Sequence, residues 1–234
     1  MNRIPAFLAA LLLSGAATAD EAVIRKVMGQ KLGGVRIERV TETPIPGIFE
    51  IRYRSDSGSE AIYSNANATY VFFGNLIEVN TGRNLTTAIR FSDLPLDLAV
   101  KVTRGSGRRV LAIFSDPYCP ACRSFEAELA KLDDITIHYF MYPVIRPELA
   151  DHSKAAWCAK DRTKAWLELA QRGKPPAGAA TCSNPIEKVL DLGRSLGVGS
   201  TPTVFLANGE RIKGGMPAAR LAEVLDSASP QAKK

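Results

Sequence analysis

Cys119-Pro120-Ala121-Cys122 is the stretch of this chain whose residue types and spacing could do chemistry. An apolar, strand-like run over 110–114 leads into it, and a helix-like run over 124–132 leads out. Two cysteines separated by two residues can close a small disulfide at a helix start. There the first sulfur meets the free N–H groups and positive end of the helix, which favour thiolate over thiol. A thiolate attacks disulfides, and a low-pKa thiol also leaves readily. The pattern outlines a redox site. A zinc site can begin the same way, but Cys158 and Cys182 are far apart, and neither His138 nor His152 has a His-x-x-His partner. A structural staple and two unconnected buried thiols are the duller readings. So short a loop is uncommon as a staple, and unconnected thiols sit poorly with a secreted chain.

Secretion is read from the first 19 residues. Arg3 supplies a basic start, Ala6 to Leu13 an apolar run, and Ala17-Thr18-Ala19 a small-x-small cleavage site. The apolar run is too short to span a bilayer, and no later stretch is long enough. An uncleaved N-terminal anchor is the alternative. The mature chain should begin near Asp20, in an oxidising compartment such as a bacterial periplasm. About 215 residues then remain, enough for one large or two small domains. Four cysteines are too few for a disulfide-built scaffold, so they are expected to serve particular jobs. The net charge is +6. No Lys/Arg cluster alternates with aromatics, so the charge reads as solubility, with no nucleic-acid partner.

The elements that must position the cysteines follow from periodicity. Residues 20–82 read as a small domain. Val23, Ile24, Val27 and Met28 fall at helical spacing within Glu21 to Leu32, and Gly33-Gly34 ends the helix. The period then changes to two: Val35, Ile37 and Arg39, then Phe49, Ile51 and Tyr53, with Ile45-Pro46-Gly47 as the turn. Residues 61–64 and 70–73 continue the sheet, and Gly74-Asn75 looks like a hairpin turn into 76–79. About 60 residues of helix and antiparallel sheet are marginal alone. Self-association would pair the exposed strand edges; packing on a second domain is the alternative. With no cysteine and no catalytic cluster, this part is expected to bind or assemble. Residues 83–109 read as a connector. Ser92-Asp93-Leu94-Pro95 predicts a short helix over Leu96 to Val102, closed by Gly105-Ser106-Gly107. A hinge or spacer and an ordinary surface connection are both compatible with it.

Residues 110–234 carry the redox motif. Val110 to Phe114 is apolar on both faces, as in a central covered strand. Ile135 to Tyr142 is the next strand, so strand, helix and strand form a right-handed βαβ unit. His138, inside that strand, reads as a half-buried structural residue, and His152 as an exposed first-turn residue. A helix is predicted over Asp151 to Gln171. Asn184-Pro185-Ile186-Glu187 is a capping box for another, which Gly197 ends. Thr203 to Ala207 is a strand, Asn208-Gly209 a turn, and Glu210 to Lys213 the returning strand. Pro217 starts a final helix, and 227–234 is a loose tail. The order is β, α, β, a helical stretch, then β, β, α.

That order, with Cys-x-x-Cys at the first helix start and Thr201-Pro202 before the third strand, resembles the thioredoxin fold. The resemblance implies a cis proline facing the active-site disulfide, exposing the Thr201 backbone for a substrate strand to pair with. Thioredoxins carry a buried Asp six residues before the first cysteine; Ile113 stands there here, so a proton relay must use another group or water. The whole mature chain resembles periplasmic disulfide isomerases of the DsbC type. The small N-terminal domain and connector, the second cysteine pair, Trp157-Cys158-Ala159-Lys160-Asp161 and the pattern Phe114-Ser115-Asp116-x-x-Cys119-x-x-Cys122 carry the likeness. It implies an α+β protein: an N-terminal dimerisation domain, a helical linker and a C-terminal thioredoxin fold with a helical insertion. It also implies a V-shaped homodimer whose cleft takes misfolded disulfide-containing secreted proteins, and a membrane reductase of the DsbD type as electron donor. No cofactor or metal is implied. By position, Cys119 resembles the attacking cysteine, Cys122 the resolving one, and Thr201-Pro202 the cis-proline loop. Cys158 and Cys182 resemble the family's structural disulfide, absent from the DsbG type. Such a staple, closing about 25 residues, would stabilise by roughly 3 kcal/mol through the unfolded state. Pro120-Ala121 departs from the Gly-Tyr of DsbC proteins, so the redox poise does not carry over. A dithiol oxidase and a non-enzymatic chaperone are the competing functions.

Overall fold

The computed structural model describes residues 15–55, 58–80 and 83–229. Thr81 and Gly82, at the end of the expected small domain, lie outside these, as do residues 1–14 of the expected leader. The helix expected from Glu21 begins earlier: α1 spans Gly15–Lys31. Its buried residues Ile24 and Met28, one turn apart, meet Phe49, Ile51 and Ile62 in a single apolar cluster. The sheet beneath them is antiparallel, in the order β1 (Arg36–Glu42), β2 (Ile48–Ser55), β3 (Gly58–Asn65), β4 (Val71–Phe72). Period two holds in β2, where Phe49 and Ile51 are buried while Glu50 and Arg52 pair at 2.7 Å.

The chain divides into two compact units at Gly74/Asn75. Gly74-Asn75 is therefore a boundary, not the expected hairpin turn. β4 pairs back to β3, whereas β5 (Ile77–Glu78) pairs forward with β6 (Arg83–Asn84) in a separate ladder. The Thr86 hydroxyl accepts the Leu76 N–H at 2.7 Å and helps close that second loop.

The second unit is built on five strands in the order β11-β10-β8-β9-β7. They are β7 (Val100–Arg104), β8 (Arg109–Ser115), β9 (Ile135–Met141), β10 (Thr203–Leu206) and β11 (Arg211–Lys213). β8 and β9 run parallel through α2 (Pro120–Leu129), and the other pairs are antiparallel. The predicted linker helix over Leu96 to Val102 does not form. Two short 3-10 turns, Phe91–Asp93 and Leu96–Leu98, use the start signals, and β7 follows as an edge strand on β9. Val100 and Val102 are buried while Lys101 and Thr103 are exposed, so alternation won over the local helix signal. Residues 100–104 thus belong to the sheet and not to a connector.

Both faces of the sheet are covered, as the apolar run of β8 predicts. Leu111 and Ile113 point into one cluster with Phe125, Leu129, Tyr139 and Trp166; Ala112 and Phe114 point into another with Phe140, Val189 and Phe205. The helix expected over 151–171 is two: α3 (Ala150–Cys158) and α4 (Arg162–Arg172). Ala159 is extended between them, and the Asp161 side chain caps α4 by accepting the Lys164 N–H at 2.9 Å. α5 (Ile186–Ser195) starts one residue later than the capping residues suggest, with Pro185 at its N-cap; the Asn184 side-chain oxygen still accepts the Ile186 N–H at 3.3 Å. α6 (Ala218–Ala228) runs past Ser227, where the loose tail was expected; residues 230–234 lie outside the described residues. Among the described residues no helix is long and apolar enough to cross a membrane.

Candidate active site

β8 ends at Ser115, and the loop after it delivers Cys119 to the N-cap of α2. Pro120 takes the first helical position, where a missing N–H is harmless. Asp116, buried at 0% exposure, organises this loop. One carboxylate oxygen accepts the Tyr118 N–H at 2.8 Å; the other accepts those of Val144 and Ile145, each at 2.7 Å. These bonds tie the segment before Cys119 to the loop that leaves β9. In the sequence Asp116 stands out only as part of the Phe114-Ser115-Asp116 pattern. Its position after an apolar strand was the available signal.

Cys119 and Cys122 are both free thiols, 6% and 2% exposed. The Cys119 thiol donates to the Thr201 carbonyl oxygen at 3.3 Å, across a separation of 82 residues. The peptide bond Thr201-Pro202 is cis. Register explains the meeting: Thr203, the first residue of β10, lies opposite Phe114 near the end of β8. Burial pushes the Cys122 thiol up to about 12, while the nearby polar groups of Asp116, Ser115 and Thr201 pull the other way. The pair is therefore unequal. The Cys119 sulfur meets the backbone carbonyl of the cis-proline loop, and the Cys122 sulfur keeps its proton in the interior.

Ile113 occupies the position where the resemblance would have an acid, but an acid is nonetheless close to that row. Ile113 pairs with Tyr139 on one side and Val204 on the other. The Tyr139 hydroxyl donates at 3.0 Å to Glu126, a 2% exposed carboxyl on α2. Burial pushes Glu126 up to about 7; Tyr139, Gln171 and Arg104 oppose the rise. The sequence reading missed Glu126. Cys122, Phe125, Glu126 and Leu129 form the buried stripe of α2 at i, i+3, i+4, i+7, so the acid sits inside an apolar face, and that was the signal.

The histidines separate. His138 is buried at 9% in β9, with Phe91 edge-on at 6.5 Å, and burial lowers its pKa. His152, expected to be simply exposed, is half-buried, and its Nδ1 pairs with the Tyr118 hydroxyl beside the active-site loop. Cys158 and Cys182 are joined in a disulfide with their Cα atoms 5.6 Å apart, linking the end of α3 to the segment before α5. Among the described residues no group of His, Cys, Asp and Glu is arranged to hold a metal ion.

A dithiol at a helix N-terminus, facing a cis-proline loop on a sheet of this topology, defines a thiol–disulfide exchange protein of thioredoxin type. Residues 96–229 match the family model of a thioredoxin-like domain, and residues 15–87 that of the disulfide bond isomerase protein N-terminal domain. The chain belongs to the DsbC family of thiol:disulfide interchange proteins, and its activity is that of a disulfide oxidoreductase and isomerase. The probable thiol:disulfide interchange protein DsbC of Bordetella parapertussis is 35% identical over 201 residues, covering 83% of this chain and 70% of the relative. DsbC of Escherichia coli K12 is 27% identical over 221 residues, covering 91% and 90%. Among solved structures, a disulfide interchange protein from Neisseria gonorrhoeae is similar with a TM-score of 0.55 and 37% identity, over 58% of this chain and 98% of that one.

Proposed function

We propose that Cys119 is the attacking cysteine, Cys122 the resolving one, and Thr201-Pro202 the backbone on which the substrate is held. The observation that carries this is the 3.3 Å contact between the Cys119 sulfur and the Thr201 carbonyl, beside a buried partner thiol. The Cys119 thiolate attacks one sulfur of a wrong disulfide; a mixed disulfide forms and the other substrate sulfur leaves as a thiolate. A second substrate thiolate then attacks the substrate sulfur of the mixed disulfide. Cys119 leaves and a rearranged pairing remains. Alternatively Cys122 gives up its proton and attacks Cys119. The substrate leaves reduced, and Cys119–Cys122 is left as a disulfide. That second outcome removes two electrons from the protein, so a thiol reductase must return them; a membrane reductase of the DsbD type is the proposed donor. Pro120 and Ala121, the exposed residues between the sulfurs, are the proposed tuners of this balance. Substrates are misfolded disulfide-containing secreted proteins, met in the periplasm after removal of the leader over 1–19. The Cys158–Cys182 disulfide is assigned a structural role.

The small N-terminal domain, read over 20–82, is proposed to hold two copies together as a homodimer. Support comes from its edge strand β4, which pairs on one side only through two residues. Tyr70 and Phe73 around it are 76% and 73% exposed, and Val71 and Phe72 are exposed as well. Phe72→Glu is expected to convert the dimer to monomer in sedimentation equilibrium. Reduction of a small disulfide should survive, while recovery of scrambled ribonuclease falls severalfold. An unchanged mass would remove this surface from the interface.

The isomerase reading is tested with scrambled ribonuclease, pre-reduced protein and no other thiol. Recovery of ribonuclease activity is the expected result. No recovery, with fast oxidation of a reduced substrate by the oxidised protein, would make the protein an oxidase instead. Suppression of aggregation by a Cys119→Ser/Cys122→Ser protein would identify a chaperone activity independent of the thiols.

A further inference from the structure

Beside the nucleophile lies a cavity of about 440 Å³, lined by Tyr118, Pro120, Arg123, Ser124 and Arg146. Its walls come from the loop before Cys119, the first turn of α2 and the loop after β9. Two guanidinium groups line it and no carboxylate does. Among the described residues neither arginine appears in an ion pair. Of the acids close in sequence, Asp116 is fully buried and its oxygens accept the N–H groups of Tyr118, Val144 and Ile145; Glu126 is 2% exposed and accepts the Tyr139 hydroxyl; and Glu148, two residues from Arg146, is exposed and does not line the cavity. Arg123 is placed rather than loose. It donates to the Pro117 carbonyl at 3.4 Å and lies over Gly173, where a Cβ would come within 2.9 Å of its Nη2. Both guanidinium charges reach Tyr118, whose ionisation they favour against the larger effect of burial. The Tyr118 ring is itself held through its hydroxyl by His152.

We infer that this cavity is a substrate subsite for a carboxylate side chain, an Asp or Glu next to the cysteine whose disulfide Cys119 attacks. The chemistry selects that ligand. Guanidinium groups present paired donors that match a carboxylate, and Ser124 adds a hydroxyl. Pro120 adjoins Cys119 in the chain, so a residue flanking the substrate cysteine falls within reach of the cavity. The inference rests on Cys119 as the attacking group and adds a preference for the sequence around the cysteine it attacks.

Two peptides test it, each carrying one intermolecular disulfide and differing only in Glu or Gln beside the cysteine. Their rates of reduction by the reduced full-length protein are compared at physiological ionic strength. The wild type is expected to prefer the Glu peptide by about fivefold, the size of an exposed but forked guanidinium–carboxylate contact. Arg123→Gln/Arg146→Gln should bring the ratio to about one, the ratio being read within each protein. Arg194→Gln/Arg220→Gln removes the same charge elsewhere and should keep the preference. A wild-type ratio of one, or an equal fall in this control, would overturn the subsite. Reduction of neither peptide would instead count against Cys119 as the attacking group, so the two failures read differently.

Discussion

Cys119→Ser is expected to reduce recovery of scrambled ribonuclease to the uncatalysed background, a loss of at least about a thousandfold in exchange rate. A hydroxyl does not displace a thiolate from a disulfide at neutral pH. The other thiol cannot substitute. Cys122 is 2% exposed, and burial pushes it to about 12, so at neutral pH its thiolate is a very minor species. Cys122→Ser should behave differently. Attack by Cys119 continues, but the internal escape route is gone. Mixed disulfides then accumulate on non-reducing gels, and only substrate thiols release them. Part of the isomerisation should survive while net reduction is lost. Equal, complete loss in both variants would mean that the cysteines act as a unit and not in the order proposed.

Glu126→Gln is expected to make the protein more stable at pH 8 by about 3 kcal/mol and to leave stability at pH 4 unchanged. The carboxyl is raised by burial from its ordinary 4.5 to about 7. The folded state therefore keeps a proton that the unfolded state releases between those values. The stability this proton contributes is complete below about pH 4.5 and is lost as pH rises through about 7. At about 1.4 kcal/mol per unit of separation, the loss is about 3 kcal/mol. Gln keeps an oxygen for the Tyr139 hydroxyl and carries no charge to bury. Urea denaturation at pH 4, 6 and 8 measures the effect. Parallel curves for the two proteins would show that Glu126 does not titrate in this window. Glu126 stands on the buried stripe of α2 one turn from Cys122, and the fold keeps the acid there at a cost in stability above neutral pH.

What the sequence determined by itself is local. The spacing of Cys119 and Cys122, Pro120 at the first helical position, the two-faced apolar run of β8 and the alternation in β2 are written in neighbouring residues, where side-chain period and backbone restriction act directly. Thr201-Pro202 is different: proline only makes a cis bond affordable, the resemblance to thioredoxins implied it, and the packing of the loop before β10 decided it. Tertiary structure decided what depends on partners distant in the chain. Residues 100–104 carry a helix start signal just upstream, yet they form a strand because β9 offers an unpaired edge and the core accepts Val100 and Val102. The turn at Gly74-Asn75 fails because the strands on its two sides find different partners. Glu126 meets Tyr139 only when α2 is laid over the row that contains Ile113. Arg123 and Arg146 share one cavity only once the loop after β9 is tied down by Asp116. Periodicity tells a residue which face to bury. Which neighbour it meets there is settled by long-range pairing, whose energy no short window of sequence contains.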